Sequence, residues 1–394
     1  MDFALNDEQQ MLSDSVARFV QSEYGFEART RLVVAGEGGS PANWRTFAEN
    51  GWLAAAFPDE FGGFGGGAIE NAVIAEQFGR GLVIESWLGC AVLAAQTLAA
   101  SGDAASKAEW LPSLADGSRR LALAWSEPES RGVPHIVGTR ATGQAGGYRL
   151  SGRKTLVLGG CGADALLVSA RSEGAIGDRA GIGLFLVEAG AAGLSVLPAP
   201  LHDGSLAATV ILNDAPARMV AGDGLAALEH GIAHAMLALS AELVGAMGQS
   251  IEITADYVRT RKQFGVTIGS FQSLQHRLAD MAAEMELARS MLFAALAAFE
   301  NDDAATRRVA IAGAKAFVTE AARNVCGQGI QLHGGIGMTD ECAIGHYFKR
   351  AIVADALFGT RSVHAAACAE ALAADLDTQG GAEGVSGKEE REFA

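Results

Sequence analysis

The chain has 394 residues, 49% hydrophobic and 19% charged, and a net charge of −16. That length exceeds one typical core, so two or three domains are expected, and the apolar content excludes a chain disordered throughout. The acidic balance speaks against nucleic acid or an anionic membrane surface as a partner.

Residues 1–118 read as helical. Asn6 and Gln9 have capping-box spacing, and Leu12, Val16, Phe19 and Val20 follow at helical intervals. Further helical runs cover about 68–80 and Leu88 to Ala100. The apolar stretch Leu82 to Ala100 contains Glu85, Ser86, Gln96 and Thr97 and lacks flanking anchors, so a buried helix is expected there, not a membrane span. The loop Phe61-Gly-Gly-Phe64-Gly-Gly-Gly67 lacks the Gly-Lys-Ser/Thr of a phosphate-binding P-loop and reads as a turn. The opening residues have neither a basic region nor an apolar core of the signal-peptide kind.

Between 119 and 222 the texture changes to short apolar runs punctuated by Gly, Pro, Asp and Asn: Leu121 to Trp125, Ala163 to Ala170, Gly183 to Val187, Leu194 to Leu197 and Thr209 to Leu212. A small all-β domain is expected. Residues 223–374 are helical again, in stretches of roughly 224–260, 271–300, 303–329 and 344–374. The second carries Leu274, Leu278, Met281, Met285, Ala288, Met291, Leu292 and Ala295 as one stripe. Such stretches bury their faces best in a four-helix bundle. The first is apolar round much of its girth, which predicts burial against another subunit as well. The end, 375–394, is acidic and glycine-rich and reads as a disordered tail. Five widely spaced cysteines (Cys90, Cys161, Cys326, Cys342, Cys368) without a C-x-x-C fit reduced thiols in the cytoplasm. No metal-ligand spacing appears among them and the histidines.

Two segments carry a family resemblance: Tyr257-Val-Arg-Thr-Arg261-Lys-Gln-Phe264-Gly265 with Phe271-Gln272, and Gln331-Leu-His-Gly334-Gly335-Ile-Gly337-Met-Thr339. They resemble the C-terminal helical domain of the acyl-CoA dehydrogenases. The order helical, β, helical also resembles that family over nearly the whole chain. The opening residues, the glycine loop and Lys349-Arg350 within His346-Tyr-Phe-Lys-Arg are similar to one branch, the pimeloyl-CoA dehydrogenase small subunit. The resemblance implies an α+β fold: an N-terminal helical domain, a central small β-barrel and a C-terminal four-helix bundle. It also implies FAD, an acyl-CoA oxidised to the 2-enoyl-CoA, and an electron-transferring flavoprotein as acceptor.

Family FAD sites are built by two subunits. By resemblance, the half given to a dimer mate is present: Arg261 for the pyrophosphate, Phe264 beside the flavin edge, Gln272 as a polar contact, and Gln331, Gly334 and Gly335 along the diphosphate. An arginine fork suits phosphate, and glycine permits close backbone approach. The half acting within one chain departs from the pattern. Its loop reads Ser126-Glu127-Pro128-Glu129-Ser130-Arg131-Gly132, with Glu129 and Arg131 where relatives carry glycine. Leu158 replaces a threonine on the flavin-covering strand, and Thr360 remains as a contact. The proton-abstracting glutamate of a Glu-Gly-Thr turn is Phe358 in Phe358-Gly359-Thr360, and the alternative slot on the preceding helix falls at Ala235. Glu229 and His234 lie nearby as substitute bases, and Asp340-Glu341 read as solvent-exposed. Loss of such a base costs roughly 10² to 10⁴ in rate.

Three functions follow. One is a base-lacking subunit that pairs with a paralogous catalytic acyl-CoA dehydrogenase subunit and contributes half of a shared FAD site. Another is a self-sufficient homo-oligomeric dehydrogenase, dimer or tetramer, using Glu229 or His234. The last is a non-catalytic scaffold of the same fold.

Overall fold

A computed structural model describes residues 4–144 and 147–386, with side chains through Ala374. Helix α1 (Asp7–Glu23) starts at the expected capping box: Asn6 Oδ1 accepts from Gln9 N at 2.8 Å and Gln9 Oε1 from Asn6 N at 3.1 Å. Helices α2 (Phe26–Ala35), α3 (Pro41–Glu49) and α4 (Ala68–Gly81) follow. Leu88–Ala94 is wound as a π-helix that runs into α5 (Ala95–Ala99), and α6 (Ala104–Ala115) closes the unit. Phe19, Phe47, Trp52, Phe78 and Trp87 build an aromatic core, for example Phe47 on Phe78 at 4.9 Å between ring centroids. The glycine loop is a turn, as expected. The N–H groups of Gly63, Gly65 and Gly66 donate to carbonyls of Pro58, Phe57 and Ala55, and a Cβ on Gly63 would meet Phe57 O at 2.1 Å.

The middle of the chain is a β-barrel. Its strands are β1 (Leu121–Ala124), β2 (Arg140–Gln144), β3 (Gly147–Leu158), β4 (Ala165–Arg171), β5 (Ile182–Glu188), β6 (Leu194–Pro200) and β7 (Leu206–Ala221). Successive pairings β4–β2, β2–β3, β3–β7, β7–β5 and β5–β4 close the ring, while β1 adds to β4 and β6 to β7. The 16-residue β7 serves three neighbours: its first part pairs β3 on one side and β6 on the other, and its end pairs β5. Strands β2 and β3 were not among the runs read from the sequence. Arg140–Leu158 alternates polar residues with few apolar ones, because much of β2 and β3 faces solvent.

The C-terminal bundle comprises α7 (Leu225–Thr260), α8 (Gln272–Asn301), α9 (Ala304–His333), α10 (Ile344–Ala356) and α11 (Arg361–Ser386). The expected fourth helix is therefore two. Phe358 and Gly359 have φ of 59° and 98°, which no α-helix continues. Side chains of the expected disordered tail from 375, and everything from 387, lie outside the described residues. Helix α7 is long and apolar enough to cross a membrane, but 89% of that window is buried inside the chain, against α4, the π-helix, α8 and α9. The girth that predicted a second subunit is covered from within.

The three parts meet at a buried charge cluster. Arg350 of α10 donates to both carboxylate oxygens of Glu242 on α7, at 2.6 and 2.8 Å, and to Asp203 between β6 and β7 at 2.8 Å. Arg29 of α2 reaches the backbone carbonyls of Asp203 and Leu82.

Candidate functional site

A cavity of about 460 Å³ opens where the barrel meets the bundle. Three segments wall it: Trp125–Pro128 with Arg131–Gly132, Thr155–Leu158 at the end of β3, and the break between α10 and α11. Each is shaped by local sequence. A bulge after Lys154, with Leu156 at φ 52°, re-aims the end of β3, and Thr155 N donates to Ser126 O at 2.9 Å. Arg131 (φ 47°) and Gly132 (φ 87°) turn the loop down onto the break, where a Cβ on Gly132 would stand 2.3 Å from Gly359 Cα. The buried Phe358 ring lies within 9° of parallel to Trp125, centroids 6.4 Å apart.

The wall's titratable side chains are Glu127 and Arg131. Glu127 is engaged: its carboxylate accepts from Lys154 Nζ at 2.8 Å, from Thr139 N and Oγ1 at 3.0 and 2.7 Å, and from Gly138 N at 2.7 Å. Burial alone would raise its pKa, but Lys154 and these donors hold it below the ordinary carboxylate value. Lys154 is itself fully buried and pushed down to about 8 by desolvation, against the pull of Glu127. No free carboxylate faces this cavity among the described residues. Glu129 is exposed and absent from the wall, so its negative charge stays outside the cavity, and the Arg131 guanidinium in the wall makes no ion pair among the described residues.

The substitute bases lie elsewhere. Glu229 is tied at the surface to Arg179 at 2.8 and 3.0 Å. His234, 4% exposed, packs against His230 and Phe299 at 4.7 and 4.8 Å, and burial pushes its pKa down to about 3. Neither lines the cavity. Asp340 and Glu341 are exposed, as expected, and Asp340 pairs with Lys349 at 2.7 Å.

Ser126 and Thr360 do line it, beside the hydroxyls of Thr155 and Ser362. The remaining predicted contacts gather at a separate, exposed end of the bundle. Strands β8 (Lys262–Gln263) and β9 (Val266–Thr267) form a hairpin after α7 with Phe264 and Gly265 at its tip, both left-handed, and Phe264 is 91% exposed. Tyr257 stacks on His333 at 4.3 Å and so brings the Arg261 hairpin beside Gln331 and Gly334–Gly335. Arg261, Gln272, Gln331, Gly334 and Gly335 are all exposed, and the Arg261 side chain makes no ion pair among the described residues. Gly335 has ordinary φ, and a Cβ there would meet nothing within 4 Å. Its own chain gives no reason for a glycine, whereas a ligand approaching from outside does. Ile336 and Met338 are exposed beside it.

Residues 6–118 match the acyl-CoA dehydrogenase N-terminal domain model, and 222–373 match the C-terminal domain model. FadE27 of Mycobacterium tuberculosis, an acyl-CoA dehydrogenase, is 31% identical over 317 residues, 78% of this chain and 82% of that one. The chain belongs to the acyl-CoA dehydrogenase family. Among solved structures, the Tcur3481-Tcur3483 steroid ACAD superposes with TM-score 0.84 at 31% identity, covering 94% of this chain and 99% of that one. The ChsE4-ChsE5 complex from Mycobacterium tuberculosis superposes with TM-score 0.86 at 28% identity, covering 95% and 99%.

Family members are FAD-dependent oxidoreductases acting on CH–CH bonds, and residues here fit that cofactor at both places. The exposed end offers an unpaired arginine and side-chain-free backbone, and the cavity offers hydroxyls and Arg131. What the cavity lacks is a base. Sequence reading missed three groups behind its walls: Lys154, Lys315 and His364. For Lys315 the signal was legible: a lysine one turn from Ile311 and Val318, on the apolar stripe of α9.

Proposed function

We propose that this chain is the base-lacking subunit of a heteromeric FAD-dependent acyl-CoA dehydrogenase. Its exposed end, with Arg261, Phe264, Gln272, Gln331, Gly334 and Gly335, completes the FAD site of a paralogous catalytic subunit. The observation that carries this reading is the cavity wall, where Phe358 is an apolar ring and Glu127 is held by Lys154, so no group there accepts a proton. FAD bound in the partner would supply the hydride acceptor for oxidation of the acyl-CoA to the 2-enoyl-CoA. This chain's part is to hold the pyrophosphate with Arg261 and to seal the flavin edge with Phe264. Similarity to two solved assemblies with paired names supports the heteromer. An electron-transferring flavoprotein as acceptor and a cytoplasmic location complete the proposal.

The test is co-purification with a paralogous subunit and measurement of flavin absorbance near 450 nm. A colourless chain that forms a yellow, active complex, with flavin loosened by Arg261→Ala, is the expected result. Full activity of this chain alone, or a partner that keeps its flavin unchanged after Arg261→Ala, overturns it.

A further inference from the structure

The break between α10 and α11 is a partition. On one side lies the 460 Å³ cavity, and on the other a chamber of about 40 Å³ bounded by Ile84, Trp87, Gly89 and the Glu242–Arg350 pair. Leu158 and Leu357 belong to both linings. The partition depends on an unfavourable backbone, with Phe358 left-handed at φ 59°. Such a conformation persists only where its surroundings over-determine it.

Those surroundings are two side chains behind the turn. Lys315 of α9, 0% exposed, donates from Nζ to Ala354 O at 2.9 Å and to Gly359 O at 3.4 Å. These carbonyls stand on either side of the helix break. His364 of α11 places Nε2 3.0 Å from Phe358 O. Neither side chain bonds a carboxylate, so the ammonium's bonding partners are the carbonyls of the turn. Asp355, Arg350 and His364 are the charged or titratable groups nearest Lys315.

We propose that Lys315 is the positioning residue of this partition: its ammonium ties the end of α10 to Gly359 and so holds the turn that carries Leu357, shared by both linings, and Phe358, which faces the larger one. The inference is independent of the shared-site reading, since it concerns the cavity and not the exposed end. Burial lowers the Lys315 pKa to about 8 and that of His364 to about 4, so near neutrality the lysine is charged and the imidazole is a neutral donor. Loss of the Lys315 proton weakens two charge-assisted bonds. An opening that returned Lys315 to water would nevertheless restore its ordinary 10.5, so by linkage that opening becomes less favourable as pH rises above about 8. Global stability moves the same way: between about 8 and the ordinary 10.5 the unfolded chain holds a proton that the folded one lacks, so this group's contribution rises with pH. Protection of the turn that grows with pH is the signature, and a neutral side chain that only packs there does not give it.

Hydrogen exchange of the full chain, read by mass spectrometry and corrected for intrinsic rates, tests this on the segment 354–364. Lys315→Met is expected to speed exchange there by roughly tenfold, with β3 and α7 unchanged. In the unsubstituted chain, corrected exchange of the same segment is expected to fall between about pH 8 and 10, and that fall is absent in the variant. Unchanged protection in Lys315→Met overturns the proposal. So does a pH-independent profile in the unsubstituted chain, which decides the matter even where the variant fails to fold.

Discussion

At the scale of single residues, the structure separates groups that the sequence placed side by side. Arg261 is exposed and makes no ion pair among the described residues, so its truncation leaves the fold intact and removes only the proposed contact to a partner's FAD. A charged hydrogen bond contributes about 1.5–3 kcal/mol, so Arg261→Ala is expected to weaken FAD binding by the complex roughly 10- to 150-fold. Equilibrium dialysis of the flavin checks this. His234 is the contrary case, a histidine held neutral among rings. Its folded pKa of about 3 lies below the ordinary 6.5, so the unfolded chain binds its proton first as pH falls. Stability is full above 6.5 and declines towards acid. His234→Phe is expected to flatten that decline in urea titrations between about pH 6.5 and 4 and to leave the activity of the complex unchanged.

At the scale of elements, two glycines are alike in the chain and opposite in cause. Gly132 is left-handed and presses on Gly359, so Gly132→Ala is expected to destabilise by at least about 1 kcal/mol, visible as a lowered Tm. Gly335 has open space around it. Gly335→Ala is expected to hold stability within about 0.5 kcal/mol while loosening the flavin of the complex. Fold class was legible from elements of this kind: the Asn6 box, the α8 stripe and the short runs of β4 and β5 lie where local chemistry says. The α10–α11 break was marked only by resemblance to a Glu-Gly-Thr turn, because the apolar residues around Leu357-Phe-Gly-Thr360 carry the helical pattern through it. Only the carbonyl ligands Lys315 and His364, from other segments, fix the chain direction there.

For the whole molecule, the decisive contact is Arg350 with Glu242 and Asp203, which joins the bundle to the barrel through buried charge, while Arg29 of α2 ties in the first domain at the Asp203 carbonyl. Removing one partner leaves the others uncompensated, so Arg350→Ala is expected to cost about 3–5 kcal/mol in chemical unfolding. Burial raises the Asp203 pKa, but Arg350 and Ser205 outweigh it and hold the group below its ordinary 3.8. Its contribution is complete above that value and disappears as pH falls through the lower folded value. Acid unfolding followed by circular dichroism is expected to shift to higher pH in Arg350→Ala.

The sequence by itself determined the three-part architecture, the family and the loss of the base, because each rests on residue type and local spacing. Phe358 cannot take a proton wherever it lies. The exposed surface proposed to meet a partner's FAD was equally legible, since Arg261 to Gln272 and Gln331 to Gly335 are contiguous runs. Tertiary structure alone decided that Glu229 and His234 stay away from the cavity, that Glu129 points to solvent, and that buried lysines stand behind the walls. Those outcomes depend on which distant segments meet. The desolvation that disarms His234, and the pairing that holds Glu127, exist only once α7, α8 and the barrel have closed around them.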